Sequence, residues 1–439
     1  MEPIIALATP PLKSALALIR VSGDGCFEIA SELAGKPVGL SGQRELLHAK
    51  LSYDGKQLDD VMLLVYPKSK SMTGEEVVEV SCHGSMLIAN QIIDAFIALG
   101  ARYAKRGEFT MRSYLNGKMG LVEAESVNDL INAPTELAKD LALKSLNGEA
   151  SQRFAPIKDR ISALLATIET SIDFPEYKDT ADLAVSSVLC ESRKIKEDLS
   201  SLIKDSEDGR YVKEGVKVAI LGEPNVGKSS LLNALLGEQK AIVTPIPGTT
   251  RDVVEGELSI HGIPIKLLDT AGLRESDDEV EKIGIRKSVE AVEECDLAIL
   301  LIDQDTTEEQ IESLKRLSSG KKTLLVYNKT DISKAPENCV GISAKEGDVN
   351  ALKEAIFSCL SLSPASLSAA SLSSKRQLSL LKRIDNDLSS AIEGAESEQT
   401  LDLVSIPLMD AYNACRELLG LDPTLDLQDE IFSRFCVGK

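Results

Sequence analysis

The period of apolar and polar positions changes several times along the chain, and each change marks a region. Up to about residue 100, short apolar runs of strand composition dominate. Residues 4–8 and 15–23 flank a Pro-Pro turn, and 61–65 and 77–81 repeat the pattern. The spacing predicts a short helix over 26–33 and a longer one over 85–99 that stops at Gly100. From Leu121 to about Arg210 the period becomes helical. Ile161, Leu164, Leu165, Ile168 and Ile172 form one face there, with Pro134, Pro156 and Pro175 as boundaries or kinks. A similar texture resumes near residue 375. Between these helical stretches, strands expected at 216–221, 253–260, 265–268, 297–303, 322–327 and 340–342 alternate with helices at 229–236, 284–294, 308–317 and 350–360. That alternation predicts a largely parallel sheet covered on both faces. The expected architecture is multidomain α+β and α/β. An α+β domain spans 1–118, a discontinuous helical domain 119–213 and 375–439, and a domain inserted over 214–361 is followed by a Ser-, Ala- and Leu-rich return linker.

Composition adds limits. The chain has 439 residues, enough for about three domains. Its eight scattered cysteines form no CxxC pair, so neither a zinc site nor a disulfide framework is suggested, and reduced, cytoplasmic thiols are the expectation. The N-terminus lacks a basic stretch followed by a long apolar core, and no apolar run reaches bilayer length, so a soluble protein without membrane contact is expected. The formal charge is −20, yet residues 1–120 hold 13 Lys+Arg and 13 Asp+Glu, so all the net acidity lies beyond them. A protein of that sign does not grip nucleic acid through its overall field, and any RNA contact must be local.

Two polar clusters stand out in the first region. Thr73-Gly74-Glu75-Glu76 leads into a strand carrying Glu79 and ending at Cys82-His83-Gly84. The segment RYAKRGEFTMRSYLNGK, Arg102 to Lys118, holds five basic residues and one acid. It reads either as a solvated loop with a helix or as an anion or RNA contact surface. His83, alone at a strand end, reads first as a structural hydrogen-bonder.

The densest chemistry is in the inserted domain. VKVAILGEPNVGKSS is a strand, a GxxxxGKS loop from Gly222 to Ser229 and a helix start in series. Successive backbone N–H groups of such a loop face a polyphosphate, the lysine neutralises its outer oxygens and the serine ligates Mg²⁺. Pro247-Gly248-Thr249-Thr250 supplies a second metal contact at Thr250, and Asp269-Thr270-Ala271-Gly272 supplies a water-mediated acid and a γ-phosphate N–H. Asn328-Lys329-Thr330-Asp331 and Ser343-Ala344-Lys345 each follow an expected strand. Asp331 accepts from guanine N1–H and its amine, which adenine does not match. In this order, at strand ends, the motifs specify a Ras-like P-loop GTPase. The expected GTP contacts are Asn225, Val226, Gly227, Lys228, Ser229, Ser230, Thr244, Pro245, Ile246, Pro247, Gly248, Thr249, Thr250, Asp269, Thr270, Ala271, Gly272, Asn328, Lys329, Asp331, Ser343, Ala344 and Lys345. Small GTPases place a water-orienting glutamine after the DxxG glycine, and here Leu273 occupies that place. The acids Glu275, Asp277, Asp278, Glu279 and Glu281 read either as substitutes for it or as a solvated loop. Asn225 reads either as an ion ligand or as a turn residue tolerant of unusual φ.

Over essentially its whole length the chain resembles the tRNA-modification GTPase family MnmE, also called TrmE. The resemblance is carried by IIALATPP…IRVSG, TGEEVVEVSCHG, RGEFTMRSYLNGKMGLVEAESVNDLI, VTPIPGTTRD, DTAGLR and the terminal FCVGK. It implies a homodimer through N-terminal domains that bind a tetrahydrofolate derivative, 5-formyl- or 5,10-methylene-tetrahydrofolate. The matching contacts are Arg20, Glu79 and Lys118, with Lys439 approaching. It implies K⁺ held by Asn225, Thr244, Ile246 and Thr249, Mg²⁺ held by Ser229 and Thr250, and Glu281 orienting the attacking water. Cys436 belongs to the terminal motif and reads either as a catalytic thiol or as a packing residue. The implied activity adds a carboxymethylaminomethyl or aminomethyl group to C5 of a tRNA wobble uridine, with a FAD-containing partner, MnmG, in a heterotetramer. GTP hydrolysis then drives closure of the two GTPase domains. Met72 and Ser85 depart from the family pattern. Competing readings are a pure regulatory GTPase acting on ribosome assembly, and a folate enzyme whose GTPase merely regulates it. The flanking folate-like and FCVGK motifs count against the first.

Overall fold

The computed structural model describes residues 1–173, 178–237, 254–268, 291–360, 372–421 and 431–439, with single positions at 362, 367 and 369. These residues divide into two compact units, Met1–Asn128 with Cys415–Lys439, and Asp129–Ala414.

The first unit is built on β1 (Ile4–Leu7), β2 (Leu16–Ser22), α1 (Cys26–Ala34), β3 (Glu45–Tyr53), β4 (Lys56–Tyr66), β5 (Val77–His83), α2 (Met86–Ala98), β6 (Arg102–Tyr103) and α3 (Glu108–Leu115), with α4 (Leu121–Ile131) beginning beyond them. Its sheet has the order β3-β4-β5-β2-β1-β6, antiparallel except for the parallel β1–β6 edge. Alternating apolar positions such as Ile19, Val21, Val78 and Val80 meet Ile92, Ile93 and Phe96 of α2 in one core. The register of β2 against β5 sets Arg20 directly opposite Glu79. The expected strand at 61–65 is the C-terminal half of β4, one arm of a longer hairpin, β3–β4, which the apolar pattern alone underestimates. Its signal is Asp54-Gly55, where both residues have positive φ, the turn that lets two twisted strands meet. By their contacts, the described residues of Cys415–Lys439 group with this first unit. Phe432 and Phe435 bury against Leu121 and Ala124, and the Tyr114 hydroxyl donates to the Gly420 carbonyl.

The second unit combines helices with a second six-stranded sheet. Its helices are α5 (Glu136–Leu146), α6 (Glu149–Asp173), α7 (Lys178–Glu214), α8 (Lys228–Gly237), α9 (Glu308–Leu317), α10 (Asn350–Cys359), α11 (Lys375–Glu396) and α12 (Leu401–Leu419), whose last turn crosses into the first unit. Pro156 lies inside α6 rather than at a boundary. It is exposed, so water can take the carbonyl one turn earlier that the missing N–H leaves free. The sheet strands are β7 (Val216–Leu221), β8 (Val254–Ile260), β9 (Ile263–Leu268), β10 (Leu297–Ile302), β11 (Lys322–Tyr327) and β12 (Val340–Gly341), in the order β12-β11-β10-β7-β9-β8. All pairs are parallel except the β8–β9 hairpin. Every residue of β10 is buried, as a two-sided parallel strand requires. Between β7 and β10 the connections leave in opposite directions, which opens a crevice at the carboxyl ends of the strands. The chain thus has the α+β, helical and P-loop parts expected from its sequence.

Candidate functional site

Four loops converge on that crevice. The first runs from Gly222 to Gly227 between β7 and α8. Asn225 turns it with φ 68°, and Gly227 follows with φ 100°. A Cβ at Gly227 would lie 2.3 Å from Asn328 Nδ2, so only glycine fits. Val226 anchors the loop by burying its side chain in the core. Lys228 Nζ donates to the carbonyls of Gly222, at 2.6 Å, and Glu223, at 2.9 Å. Burial lowers the pKa of its ammonium despite the opposing charge of Glu223. It makes no salt bridge among the described residues, so the loop carries a half-buried positive charge among backbone dipoles, which suits a polyphosphate. Ser229 and Ser230 are exposed at the helix start.

Asn328, after β11, ties this loop to the others. Its Nδ2 donates to the Val226 carbonyl at 2.8 Å, and its Oδ1 accepts from the Ala344 amide at 3.1 Å. One buried side chain therefore fixes the phosphate loop against the loop after β12. Ser343 donates to Asp331 Oδ1 at 3.0 Å, which leaves the second oxygen of this exposed carboxylate for a base. Lys329, with φ 66°, is held by Asp303 at 2.5 Å. Burial alone would raise the pKa of Asp303. The Lys329 ammonium, the Asp305 amide and the Thr306 hydroxyl outweigh it and hold the carboxyl below its usual range. Sequence reasoning missed Asp303, because an acid at a strand end carries no motif of its own.

Asn225, Val226, Gly227, Asn328, Lys329, Asp331, Ser343, Ala344 and Lys345 thus lie on loops at one end of one sheet, and Lys228, Ser229 and Ser230 open the helix that follows the first of them. Thr244, Pro245, Ile246, Pro247, Gly248, Thr249, Thr250, Asp269, Thr270, Ala271, Gly272, Leu273, Glu275, Asp277, Asp278, Glu279 and Glu281 lie outside the described residues. Of the expected Mg²⁺ and K⁺ ligands, the described ones are Ser229 and Asn225. The positive φ of Asn225 accounts for its turn role without an ion.

The first unit has a cavity of its own, about 290 Å³, lined by Arg20, Arg44, Tyr66, Lys70, Ser71, Met72, Val77 and Glu79. Arg20 Nε donates to Glu79 Oε1 at 2.8 Å, and Tyr66 reaches the other oxygen at 3.4 Å. The C-terminus meets the same arginine, since Arg20 also donates to the Gly438 carbonyl at 3.1 Å. Gly438 has φ 94°, and a Cβ there would come within 2.6 Å of the Leu7 carbonyl oxygen. Phe109 N–H donates to the Lys439 carbonyl at 3.2 Å. Lys118 reaches the Ser69 carbonyl at 3.5 Å, next to the cavity wall at Lys70. Of the four residues expected at a folate site, Arg20 and Glu79 line this hollow, whereas Lys118 and Lys439 are not among its lining residues. Tyr66 and Arg44 carry no sequence signal, because strand register and the approach of a distant segment place them there.

The remaining polar motifs resolve into structural roles. His83 uses its amide and Nδ1 to clamp the buried Asp59, each at 2.8 Å. Burial pushes the Cys82 thiol up to about 11, so it is not a thiolate. No disulfide joins the eight cysteines, and Cys436 is exposed. Glu75 accepts from the buried Arg112 at 2.8 Å, and Arg112 also binds Glu108. Burial would raise Glu108, but Arg102, the Lys105 amide and Arg112 hold its carboxyl at about 2.

Two family models match the chain. One describes the GTP-binding protein TrmE N-terminus and covers residues 3–118, and the other describes the MnmE helical domain and covers 121–436. A tRNA modification GTPase MnmE of Aquifex aeolicus is 39% identical over 456 residues, spanning 100% of both chains. Another, of Acetivibrio thermocellus, is 37% identical over 456 residues, spanning 100% of this chain and 99% of that one. A solved structure of Aquifex aeolicus Era bound to GDP and aluminium fluoride shares 27% identity, covers 39% of this chain and 66% of that one, and has TM-score 0.26. With both its N-terminal and helical parts matched and its relatives aligned from end to end, this chain belongs to the MnmE (TrmE) family of tRNA modification GTPases.

Proposed function

We propose that this GTPase is the GTP-hydrolysing component of a system that installs a carboxymethylaminomethyl or aminomethyl group on C5 of the tRNA wobble uridine. A folate-bound one-carbon unit supplies the bridging methylene, and the FAD-dependent protein MnmG is the partner, in a heterotetramer built on a homodimer of this chain. The observation that carries the reading is the Arg20–Glu79 pair, set in a cavity and met by the C-terminal segment, in the same chain as the guanine loops. A carboxylate held by an arginine on one side matches the donor edge of an aminopyrimidinone ring, and a nearby Lys118 and Lys439 suit the carboxylates of a folate tail.

In the GTPase domain, proposed to span 214–361, the loop amides and Lys228 hold the β- and γ-phosphates. Asp331, steadied by Ser343, reads guanine, and Lys329, steadied by Asp303, flanks it. Ser229 and Thr250 are the proposed Mg²⁺ ligands, and Asn225, Thr244, Ile246 and Thr249 the K⁺ ligands. When bound, these cations neutralise charge that develops on the transferring phosphoryl group. Glu281 is the proposed water-orienting residue, with Leu273 unable to act. Hydrolysis drives closure of the paired GTPase domains, separate from the nucleoside chemistry.

Mass spectrometry of wobble nucleosides from cells lacking the gene tests the reading. Loss of the C5 side chain is expected, and an unchanged profile would refute it. A GTPase rate equal in K⁺ and Na⁺ would remove the ion role of Asn225 alone.

A further inference from the structure

The basic segment after β6 does not go wholly into the folate-like cavity. A second and larger cleft, about 640 Å³, lies in the first unit between this segment and the C-terminal stretch. It is lined by Arg102, Lys105, Arg106, Glu108, Arg112 and Phe432 among others, and by none of the four residues assigned to folate. Its charges form two layers. The inner layer is paired. Arg102 bonds Glu2 at 2.5 Å and Glu108 at 2.6 Å, and Arg112 bonds Glu75 and Glu108. Even so, the buried Arg112 keeps an Nε–H with no acceptor among the described residues. The outer layer is unpaired. Lys105 and Arg106 are exposed and make no salt bridge among the described residues, and Arg106 Nε is fixed by the Phe435 carbonyl at 3.0 Å.

We propose that this cleft binds phosphodiester groups of the tRNA. The inference rests on the tRNA modification role of the family. A chain of net charge −20 repels a nucleic acid over most of its surface, so contact needs a site where positive charge is concentrated and uncompensated. The paired inner guanidinium groups keep the wall rigid, and the two outer cations present free donors to phosphate oxygens. Arg112, which lines the same cleft, is buried and paired with Glu75 and Glu108. The contact carries no base information, so it positions the RNA and leaves recognition of the wobble base to other surfaces.

The test measures binding of an unmodified tRNA transcript to the full chain across a salt series, for the wild type, for Lys105→Ala with Arg106→Ala, and for Lys105→Arg with Arg106→Lys. Melting curves confirm that each variant folds. The double alanine variant is expected to lose about tenfold or more in affinity at about 50 mM salt and about two units of the salt slope, and the charge-conserving variant to keep both. No tRNA binding by the wild type at low salt, or an unchanged slope in the alanine variant, overturns the proposal. A fall in 5-formyltetrahydrofolate affinity with tRNA binding intact also overturns it, and would assign the cleft to folate carboxylates. A failure here beside loss of the C5 side chain in cells lacking the gene would leave the function proposed above standing.

Discussion

The guanine crevice and the Arg20 cavity both sit on six-stranded sheets, but they are made in opposite ways. In the parallel sheet, strand ends are gathered by topology, and the loops that follow them supply backbone N–H and carbonyl groups at fixed places. Few side chains are needed, and one of them, Asn328, couples two loops. In the antiparallel sheet, the cavity is made of side chains brought opposite one another by register, and a segment 418 residues away in sequence completes it. A site built from backbone at strand ends is robust to its flanks. One built from cross-strand side chains depends on a distant tail and on a buried ion network.

Four substitutions separate the two kinds of site, and the one in the phosphate loop has the greatest consequence. Lys228→Ala removes the cation that the phosphate loop supplies, and GTP hydrolysis, followed by phosphate release, is expected to fall about a thousandfold. A residual rate within tenfold of wild type would mean that the backbone alone is sufficient. Glu108→Gln tests the other unit. The folded carboxyl lies at about 2 against an ordinary 4.5, so its charge stabilises the fold fully above about pH 4.5 and the contribution fades as pH drops towards 2. The substitution is expected to cost about 3 kcal/mol at pH 7, read by hydrogen exchange in β2, and much less at pH 3. An equal cost at both values would show that packing, and not charge, holds this region.

Asn328→Ala uncouples the phosphate loop from the loop after β12. It is expected to weaken fluorescent GDP binding about thirtyfold, or about 2 kcal/mol. Unchanged affinity would show that the two loops are positioned independently. Gly438→Ala gives the smallest effect. It sets a Cβ against the Leu7 carbonyl at a φ of 94°, at a cost of about 1 kcal/mol. Calorimetry is expected to show weaker 5-formyltetrahydrofolate binding by about fivefold, with GDP binding unmoved. If folate binding holds, the C-terminal segment is not part of the cavity.

The same contrast explains what could be read in advance. GxxxxGKS, NKTD and SAK were legible because each phosphate or base contact recurs at a fixed spacing from a strand end, and the crevice brings those ends together. Asp303 was not legible, since its partner Lys329 lies on a neighbouring strand's loop. The β3–β4 hairpin was only partly legible. Strand β3 is exposed at alternate positions and bears Lys, His and Ser, so its hydrophobic signal is weak, although Asp54-Gly55 marks its turn. The basic run from Arg102 to Lys118 could be counted but not sorted into paired and free charges.

The sequence by itself determined the guanine loops, the alternation of strands and helices around them, and the family, because local spacing and hydrophobic period carry that information. The three-dimensional packing is what sets Arg20 against Glu79, returns Gly438 to the same arginine, and pairs Arg102 and Arg112 with Glu108 and Glu75 while Lys105 and Arg106 make no salt bridge among the described residues. Those pairings depend on strand register and on contacts between segments far apart in the chain. Packing of the whole unit fixes them, and no local pattern encodes them.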